Sequence, residues 1–461
     1  MTALPYLSAT EMVDQFRRRT LSPSDVCDAV IDHIGKWEPR LKALYAYDPD
    51  SARAAAKAAT ERWAKGAPQG PLDGVPVTIK ENIATKGVPV PVGCAATDHT
   101  PAAADAPPAA RLRESGAVIL AKTTMPDYGM LSSGLSSFHE LARNPWNLAM
   151  NPGGSSAGAA AAGAAGYGPI HIGTDIGGSV RLPAGWCALV GLKPSLGRIP
   201  IDPPYVGRVA GPMTRTVADN ALAMSVLTQP DWRDGTSLKP ESIDWTMRNI
   251  DVKGLRIGLQ FDIGAGLDVI PETRAAVEAA AKLFEQHGAK LIPVKPILTR
   301  AMLDGLDQFW RARAWADVEP LSMPRRDKIL PYIRAWAESG QRVSSAEALR
   351  GFGQTFAMMK AAGAQFQEVD VLLTPTSPVP TFKAELASPI HDPERPFEHI
   401  GFTVVWNMTE QPAVSINCGF TKDGLPIGLQ IVGPRWDDAG VLRLAYTYEN
   451  WRGTYPNWPT P

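Results

Sequence analysis

Apolar residues recur at helical spacing in the first part of the chain, and each run begins at a residue that can cap a helix. Ser8 is followed three residues later by Glu11, which is the spacing of a capping box. Ser22, with the proline after it, repeats the signal, because a cap residue and a proline in the first turn favour a helix start. A third, alanine-rich helix is predicted over residues 51–65. We therefore predict that residues 1–65 form a helical lead-in packed on the core.

From residue 66 onward, short β-branched or apolar runs alternate with helical patterns. This alternation is typical of a mixed or parallel sheet covered by helices on both faces. We therefore predict a single α/β domain over residues 66–461, with a central mixed, largely parallel sheet. Residues 296–366 carry many Trp, Arg and Ala residues without a clear strand, which predicts a mostly helical insertion. The predicted strands lie at 75–79, 117–120, 189–190, 255–260, 290–294, 369–373, 413–416 and 428–431.

The charge balance and the cysteines indicate which partners and which cellular compartment to expect. The chain has 46 basic and 47 acidic residues, a formal net charge of −1, which gives no electrostatic reason to expect nucleic acid or an anionic membrane as a partner. The sequence begins without a signal-peptide pattern and has no run of 18 apolar residues. Four scattered cysteines in so long a chain are typical of reduced thiols. A soluble cytoplasmic protein is therefore expected.

Two glycine-rich segments carry serines that could be chemically active. The first is Pro-Gly-Gly-Ser-Ser-Ala-Gly at 152–158, and the second is Gly-Thr-Asp-Ile-Gly-Gly-Ser-Val-Arg-Leu-Pro at 173–183. The paired glycines before Ser179 let the backbone turn sharply and leave amides that could stabilise an oxyanion. A serine at such a turn is a candidate acyl acceptor that needs a base. Lys80, at the end of a predicted buried strand, is a reasonable base because burial disfavours the ammonium form.

Taken together, these segments resemble the amidase signature family. The resemblance spans most of the chain except roughly 230–365. It implies a central mixed sheet flanked by helices, with Ser179 attacking an amide carbonyl, Ser155 relaying the proton and Lys80 accepting it. It also implies a cis peptide between Gly154 and Ser155. The matching stretches are 74–82, 122–123, 143–146, 152–158, 173–197, 211–212, 374–378 and 424–428.

The resemblance implies further site residues. Backbone amides of Ile176, Gly177 and Gly178, with that of the nucleophile, would form the oxyanion hole, and Met130 and Ser132 would line the acyl pocket. The sequence departs from the family pattern in two places. Glu81 stands where an aspartate usually follows the lysine, and Ala157 stands where a second glycine is usual. Neither departure removes a reacting group.

Several of these residues also have less specific interpretations. Asp175 and Arg181 are expected to form a structural ion pair that holds the nucleophile loop, and Ser156 is expected to cap the following helix. The motifs contain no histidine, which disfavours a Ser–His–Asp triad. Residues 116–123 resemble a phosphate-binding loop, but Ala121 replaces the required glycine. No metal-ligand spacing is present, so no metal and no cofactor is implied.

The resulting prediction is a stand-alone hydrolase that forms an acyl-enzyme on Ser179. Its expected partner is a small-molecule amide, with no nucleic acid and no membrane, and a homodimer stays open. The alternative is the A subunit of a tRNA-dependent amidotransferase, which releases ammonia from glutamine. An inactive scaffold is disfavoured because Lys80, Ser155 and Ser179 are intact.

Aromatic and methionine side chains near the motifs suggest the substrate. Such side chains bury apolar ligand surface, which predicts a small aryl or hydrophobic amide. Arg311 and Arg313 lie beside the tryptophans, so a substrate that bears a carboxylate also stays open. Alternatively, the tryptophans pack the insertion onto the core, which would account for their presence equally well. The residues concerned are Met130, Leu131, Phe138, Phe309, Trp310, Trp315 and Trp336.

Overall fold

The computed structural model describes residues 3–453 and 457–461. Its centre is an eleven-stranded mixed sheet with helices on both sides, which confirms the predicted fold class. The strands are β1 (Leu44–Tyr45), β2 (Pro76–Lys80), β3 (Val118–Thr123), β4 (Ile170–Asp175), β5 (Val190–Lys193), β6 (Val209–Thr214), β7 (Arg256–Leu259), β8 (Lys290–Pro293), β9 (Val371–Pro375), β10 (Ala413–Phe420) and β11 (Pro426–Val432).

The helices precede, separate and follow the strands. They are α1 (Ala9–Arg18), α2 (Pro23–Leu41), α3 (Pro49–Ala64), α4 (Pro107–Glu114), α5 (Ala157–Ala165), α6 (Arg181–Trp186), α7 (Val217–Leu227), α8 (Pro271–Gln286), α9 (Arg300–Val318), α10 (Met323–Arg326), α11 (Pro331–Ser339), α12 (Ser345–Glu368), α13 (Gly401–Met408) and α14 (Asp438–Trp451). The predicted capping box is present, because the amide of Glu11 donates to Ser8 Oγ and the Glu11 carboxylate accepts from the Ser8 amide.

The strands follow the order β1-β3-β2-β4-β6-β5-β10-β11-β9-β7-β8. Parallel pairing is confined to two regions, where β2 lies between β3 and β4 and where β7 lies between β8 and β9. The remaining pairs are antiparallel. Four of the ten strand pairs in the described sheet are parallel, which is fewer than the sequence pattern predicted. A short connection makes β10 and β11 a hairpin, which is one of the antiparallel pairs.

Both faces of the sheet are buried. Leu373 packs into one hydrophobic core and its neighbour Leu372 packs into another, as the alternation of side chains along a strand requires. The first core contains the packed faces of the N-terminal helices, and the second contains much of α9, α11 and α13. Because both faces are covered, a side chain at the end of a central strand is shielded from water.

Strands β2 and β4 are parallel neighbours, so their last residues lie at the same edge of the sheet. Lys80 is the last residue of β2, and Asp175 is the last residue of β4. The sequence pattern did not predict β4 or β6, because a glycine interrupts β4 and a glycine and a proline interrupt β6. These strands nevertheless place the serine segments beside the lysine.

Candidate active site

Lys80 is completely buried and points at the first serine segment. Its Nζ donates to Ser155 Oγ over 2.7 Å and to Thr174 Oγ1 over 3.0 Å. Burial lowers the pKa of Lys80 to about 7, against the opposing charges of Asp175 and Glu81. A neutral amine is therefore accessible near neutral pH, and this is the state that can accept a proton.

The first serine segment crosses the end of β4 before it enters α5. The peptide between Gly154 and Ser155 is cis, as the family resemblance implied. Ser156 occupies the N-cap position of α5, but its side chain makes no capping hydrogen bond. Its hydroxyl instead donates to the Thr174 carbonyl over 3.2 Å, so the expected capping role is wrong. The serine ties the helix to the neighbouring strand.

The second serine segment turns sharply into α6. The Ser156 amide donates to the Ser179 carbonyl over 3.3 Å, which holds the two segments together. Gly178 has a φ of +126°, a conformation that favours glycine. Its amide donates to Asp175 Oδ1 over 2.8 Å, which corrects its prediction as an oxyanion donor. The amides of Ile176, Gly177 and Ser179 remain as the candidate donors.

Asp175 and Arg181 form the ion pair expected from the sequence. Arg181 Nη2 lies 2.9 Å from Asp175 Oδ1, and both side chains are fully buried. Burial would raise the pKa of Asp175, but the Arg181 guanidinium and hydrogen bonds from the loop amide of Val180 and from Asn407 hold it well below its usual range. The carboxylate therefore fixes the nucleophile loop.

Arg181→Met should lower the free energy of unfolding by about 3–5 kcal/mol, because it leaves the Asp175 carboxylate buried without its cation. Chemical denaturation of the two proteins measures this difference. Arg18→Met is the matched control, since Arg18 pairs with Asp14 on an exposed surface and should cost less than about 1 kcal/mol. Equal effects of the two substitutions would contradict the role assigned to Arg181.

A pocket opens beside Ser179, and its walls are mostly apolar. Met130 and Ser132 lie in its lining, as predicted. Residues 387–400 supply a wall that no sequence pattern predicted, because this segment is irregular and distant in the chain. The lining consists of Gly129, Met130, Leu131, Ser132, Ile176, Gly177, Ser179, Trp310, Arg313, Tyr332, Ala387, Ser388, Pro396, Phe397, His399 and Ile400.

The insertion contributes fewer pocket residues than its composition suggested. Trp310 and Arg313 line the pocket, whereas Trp336 is buried with its Nε1 donating to Asp307 over 2.9 Å. Arg311 pairs with Asp307 on the same helix and also donates to Ser339 Oγ and to the Pro393 carbonyl, so it ties α9 to α11 and to the segment 387–400. The other aromatic residues proposed for the pocket are absent from its lining, and they are Phe138, Phe309 and Trp315.

Within residues 3–453 and 457–461, no group of three or more His, Cys, Asp or Glu side chains is arranged to hold a metal ion. None of the helices described there combines the length and the apolar character needed to cross a membrane. The four cysteines are free thiols.

The fold, the buried lysine and the two serine segments define an amidase. A family model for amidases matches residues 25–442, and the chain belongs to this family, the amidase signature enzymes. The A subunit of glutamyl-tRNA(Gln) amidotransferase from Chloroflexus aggregans is 34% identical, with 97% of each chain covered.

Solved structures give the same family. A bacterial aryl acylamidase of the amidase signature family superposes with a TM-score of 0.88 at 28% identity, covering 96% of each chain. The A subunit of glutamyl-tRNA(Gln) amidotransferase from Thermotoga maritima superposes with a TM-score of 0.80 at 25% identity, covering 99% of this chain and 98% of that one.

These relatives correct the predicted partners. The sequence predicted a small-molecule amide and no nucleic acid, and the exclusion of every partner other than a small molecule is wrong. A relative that matches 97% of the chain is by name one component of an amidotransferase for glutamyl-tRNA. The prediction relied on a balanced net charge, which describes one chain and carries no information about other chains that assemble with it.

Proposed function

We propose that the protein hydrolyses a carboxamide through an acyl-enzyme on Ser179. Neutral Lys80 accepts the proton of Ser155, which in turn accepts the proton of Ser179 as its oxygen attacks the amide carbonyl. The proton returns through Ser155 to the leaving nitrogen. Water activated by the same relay then hydrolyses the ester. The contact of 2.7 Å between Lys80 Nζ and Ser155 Oγ is the observation that carries this proposal.

The oxyanion of the tetrahedral intermediate needs donors that are already in position. In this proposal the amides of Ile176, Gly177 and Ser179 supply them, while the amide of Gly178 serves Asp175. The amides of Gly178 and Val180 therefore hold the loop on Asp175, and the other amides of the loop are left for the oxyanion. Met130 and Ser132 contact the acyl part of the substrate from the opposite wall.

The substrate we propose is the side-chain amide of glutamine, with the protein acting in the cytoplasm as the A subunit of a tRNA-dependent amidotransferase. The full-length similarity to such chains supports this proposal over the aryl amide predicted from the sequence. Arg313 in the pocket lining is a cation that the glutamine carboxylate could meet. Ammonia released at Ser179 would be used by the rest of the assembly.

A hydrophobic amide is the second candidate, and the pocket lining favours it. Trp310, Tyr332 and Phe397 give the pocket an aromatic wall, and the described lining contains no carboxylate to meet the ammonium group of glutamine. The structural similarity to an aryl acylamidase is in agreement with this candidate.

Glutamine should be hydrolysed with a higher kcat/KM than malonamide, an arylacetamide or an anilide when the protein is assembled with its partner chains and charged tRNA. Steady-state release of ammonia or aniline across the four compounds measures this. The isolated chain is the matched control, since one component of an amidotransferase should gain glutaminase activity on assembly. A chain that acts fastest on aryl amides by itself, and forms no assembly, would contradict the amidotransferase proposal and support the second candidate.

A further inference from the structure

His399 lies in the pocket wall that the sequence pattern did not predict. It sits in a short 3-10 turn at Glu398–Ile400, directly before α13, and lines the same pocket as Ser179. The residue is 2% exposed. It is therefore close to the acyl acceptor and shielded from bulk water.

The environment of His399 differs from that of two other buried histidines. Neither ring nitrogen of His399 has a hydrogen-bond partner among the described residues. In contrast, His171 bonds Thr78 through Nδ1 and Gly168 through Nε2, and His33 bonds the Ala165 carbonyl over 2.7 Å. Buried polar groups are nearly always paired in folded proteins, so this pair of unpaired nitrogens requires an explanation.

The imidazole of His399 is neutral at physiological pH. Burial lowers the pKa of His399 to about 3. A neutral imidazole has one N–H donor and one nitrogen acceptor, so it can bond an amine or a hydroxyl without bringing a charge into the pocket. A hydrogen bond of this kind does not require the ring to gain or lose a proton.

The backbone near His399 is fixed against the nucleophile loop. Thr403, in the first turn of α13, donates to the Gly177 carbonyl over 2.7 Å. Glu398 is held on the other side by Arg300 over 2.8 Å. The turn that carries the imidazole is therefore anchored at both ends and is positioned relative to the oxyanion donors.

We propose that His399 is a specificity-determining residue that hydrogen-bonds an amino or hydroxyl group on the acyl part of the substrate. The inference rests on the proposed function, because it assigns the ring to the substrate hydrolysed at Ser179. For glutamine the group is the α-amino group, whose N–H bonds the unprotonated ring nitrogen. Since the described lining holds no carboxylate, the imidazole supplies a side-chain acceptor for that group.

A matched pair of substrates isolates this contact. Glutamine and glutaramate differ only in the α-amino group, so the ratio of their kcat/KM values reports its recognition. His399→Phe should lower this ratio about tenfold, the value of one hydrogen bond. His399→Asn retains a planar donor and acceptor and should restore part of the ratio.

A purely structural role makes the opposite prediction for stability. His399→Phe replaces an unpaired buried polar ring by an apolar one and should keep or raise the Tm. A structural histidine would instead lower the Tm on substitution, and the ratio of substrates would not change. His287→Phe is the control, since His287 is exposed and stacks on Trp451 outside the pocket.

For the hydrophobic candidate, the matched pair of substrates is 4-hydroxyphenylacetamide and phenylacetamide, which differ only in the phenolic hydroxyl group. A ratio that His399→Phe leaves unchanged, for whichever pair is hydrolysed, would overturn the role of His399 while the proposed hydrolysis stands. A protein that hydrolyses neither pair, alone or assembled, would overturn the proposed function itself. These two failures are therefore distinguishable.

Discussion

Ser179→Ala should reduce kcat/KM by roughly 10⁴- to 10⁶-fold, because the substitution removes the oxygen that attacks the amide. The fold should persist, since Ser179 is partly exposed at the pocket and its backbone carbonyl still accepts from the Ser156 amide. Hydrolysis of the best amide substrate measures the loss, and circular dichroism checks the fold.

Ser225→Ala is the matched control for this experiment. Ser225 lies on α7, where its hydroxyl donates to the Leu222 carbonyl, and its loss should leave turnover intact. If the Ser179→Ala protein kept even a tenth of the activity, Ser179 would not be the nucleophile and the acyl-enzyme proposal would fail with it.

Lys80→Met should reduce the rate by roughly 10⁴-fold and should also remove the acid limb of the pH profile. The base acts only when neutral, and its pKa is lowered to about 7 by burial. In the native protein the rate should therefore fall about tenfold for each pH unit below this pKa and level off above it. Rates measured between about pH 5 and about pH 9, on either side of that pKa, test both effects.

Lys193 provides the control for the lysine assignment. Burial also lowers the pKa of Lys193 to about 7, so it titrates in the same range as Lys80. Its Nζ donates to the Pro194 carbonyl, whereas Lys80 Nζ donates to Ser155 Oγ. Lys193→Met should keep the acid limb. An acid limb that survives in Lys80→Met but disappears in Lys193→Met would contradict the assignment.

Features governed by local rules could be predicted from the sequence. The capping box at Ser8 depends on residues three positions apart, and it is present as expected. The chemical motifs were equally accessible, because glycine and serine types at fixed spacing identify the family. The Asp175–Arg181 pair joins two residues of one loop, so it too was within reach.

Features that depend on distant contacts could not be predicted. The pocket wall at residues 387–400 reaches Ser179 only through the arrangement of the whole sheet, and its composition carries no motif. The hydrogen bond from the Gly178 amide to Asp175 also could not be predicted. A pair of glycines indicates that amides are free to donate, but it does not indicate which acceptor each amide meets. Strand β4 was hidden because its glycine weakens the strand pattern.

Two different parts of the chain form the pocket, and this affects how the range of substrates can change. The reacting groups that we propose lie on β2 and the serine segments, whereas much of the opposite wall comes from α9 and residues 387–400. Substitutions in that wall can therefore accumulate without disturbing Lys80. The proposed catalytic residues can therefore stay the same while the protein acquires activity toward new amides. Laboratory evolution of this protein is best directed at the wall.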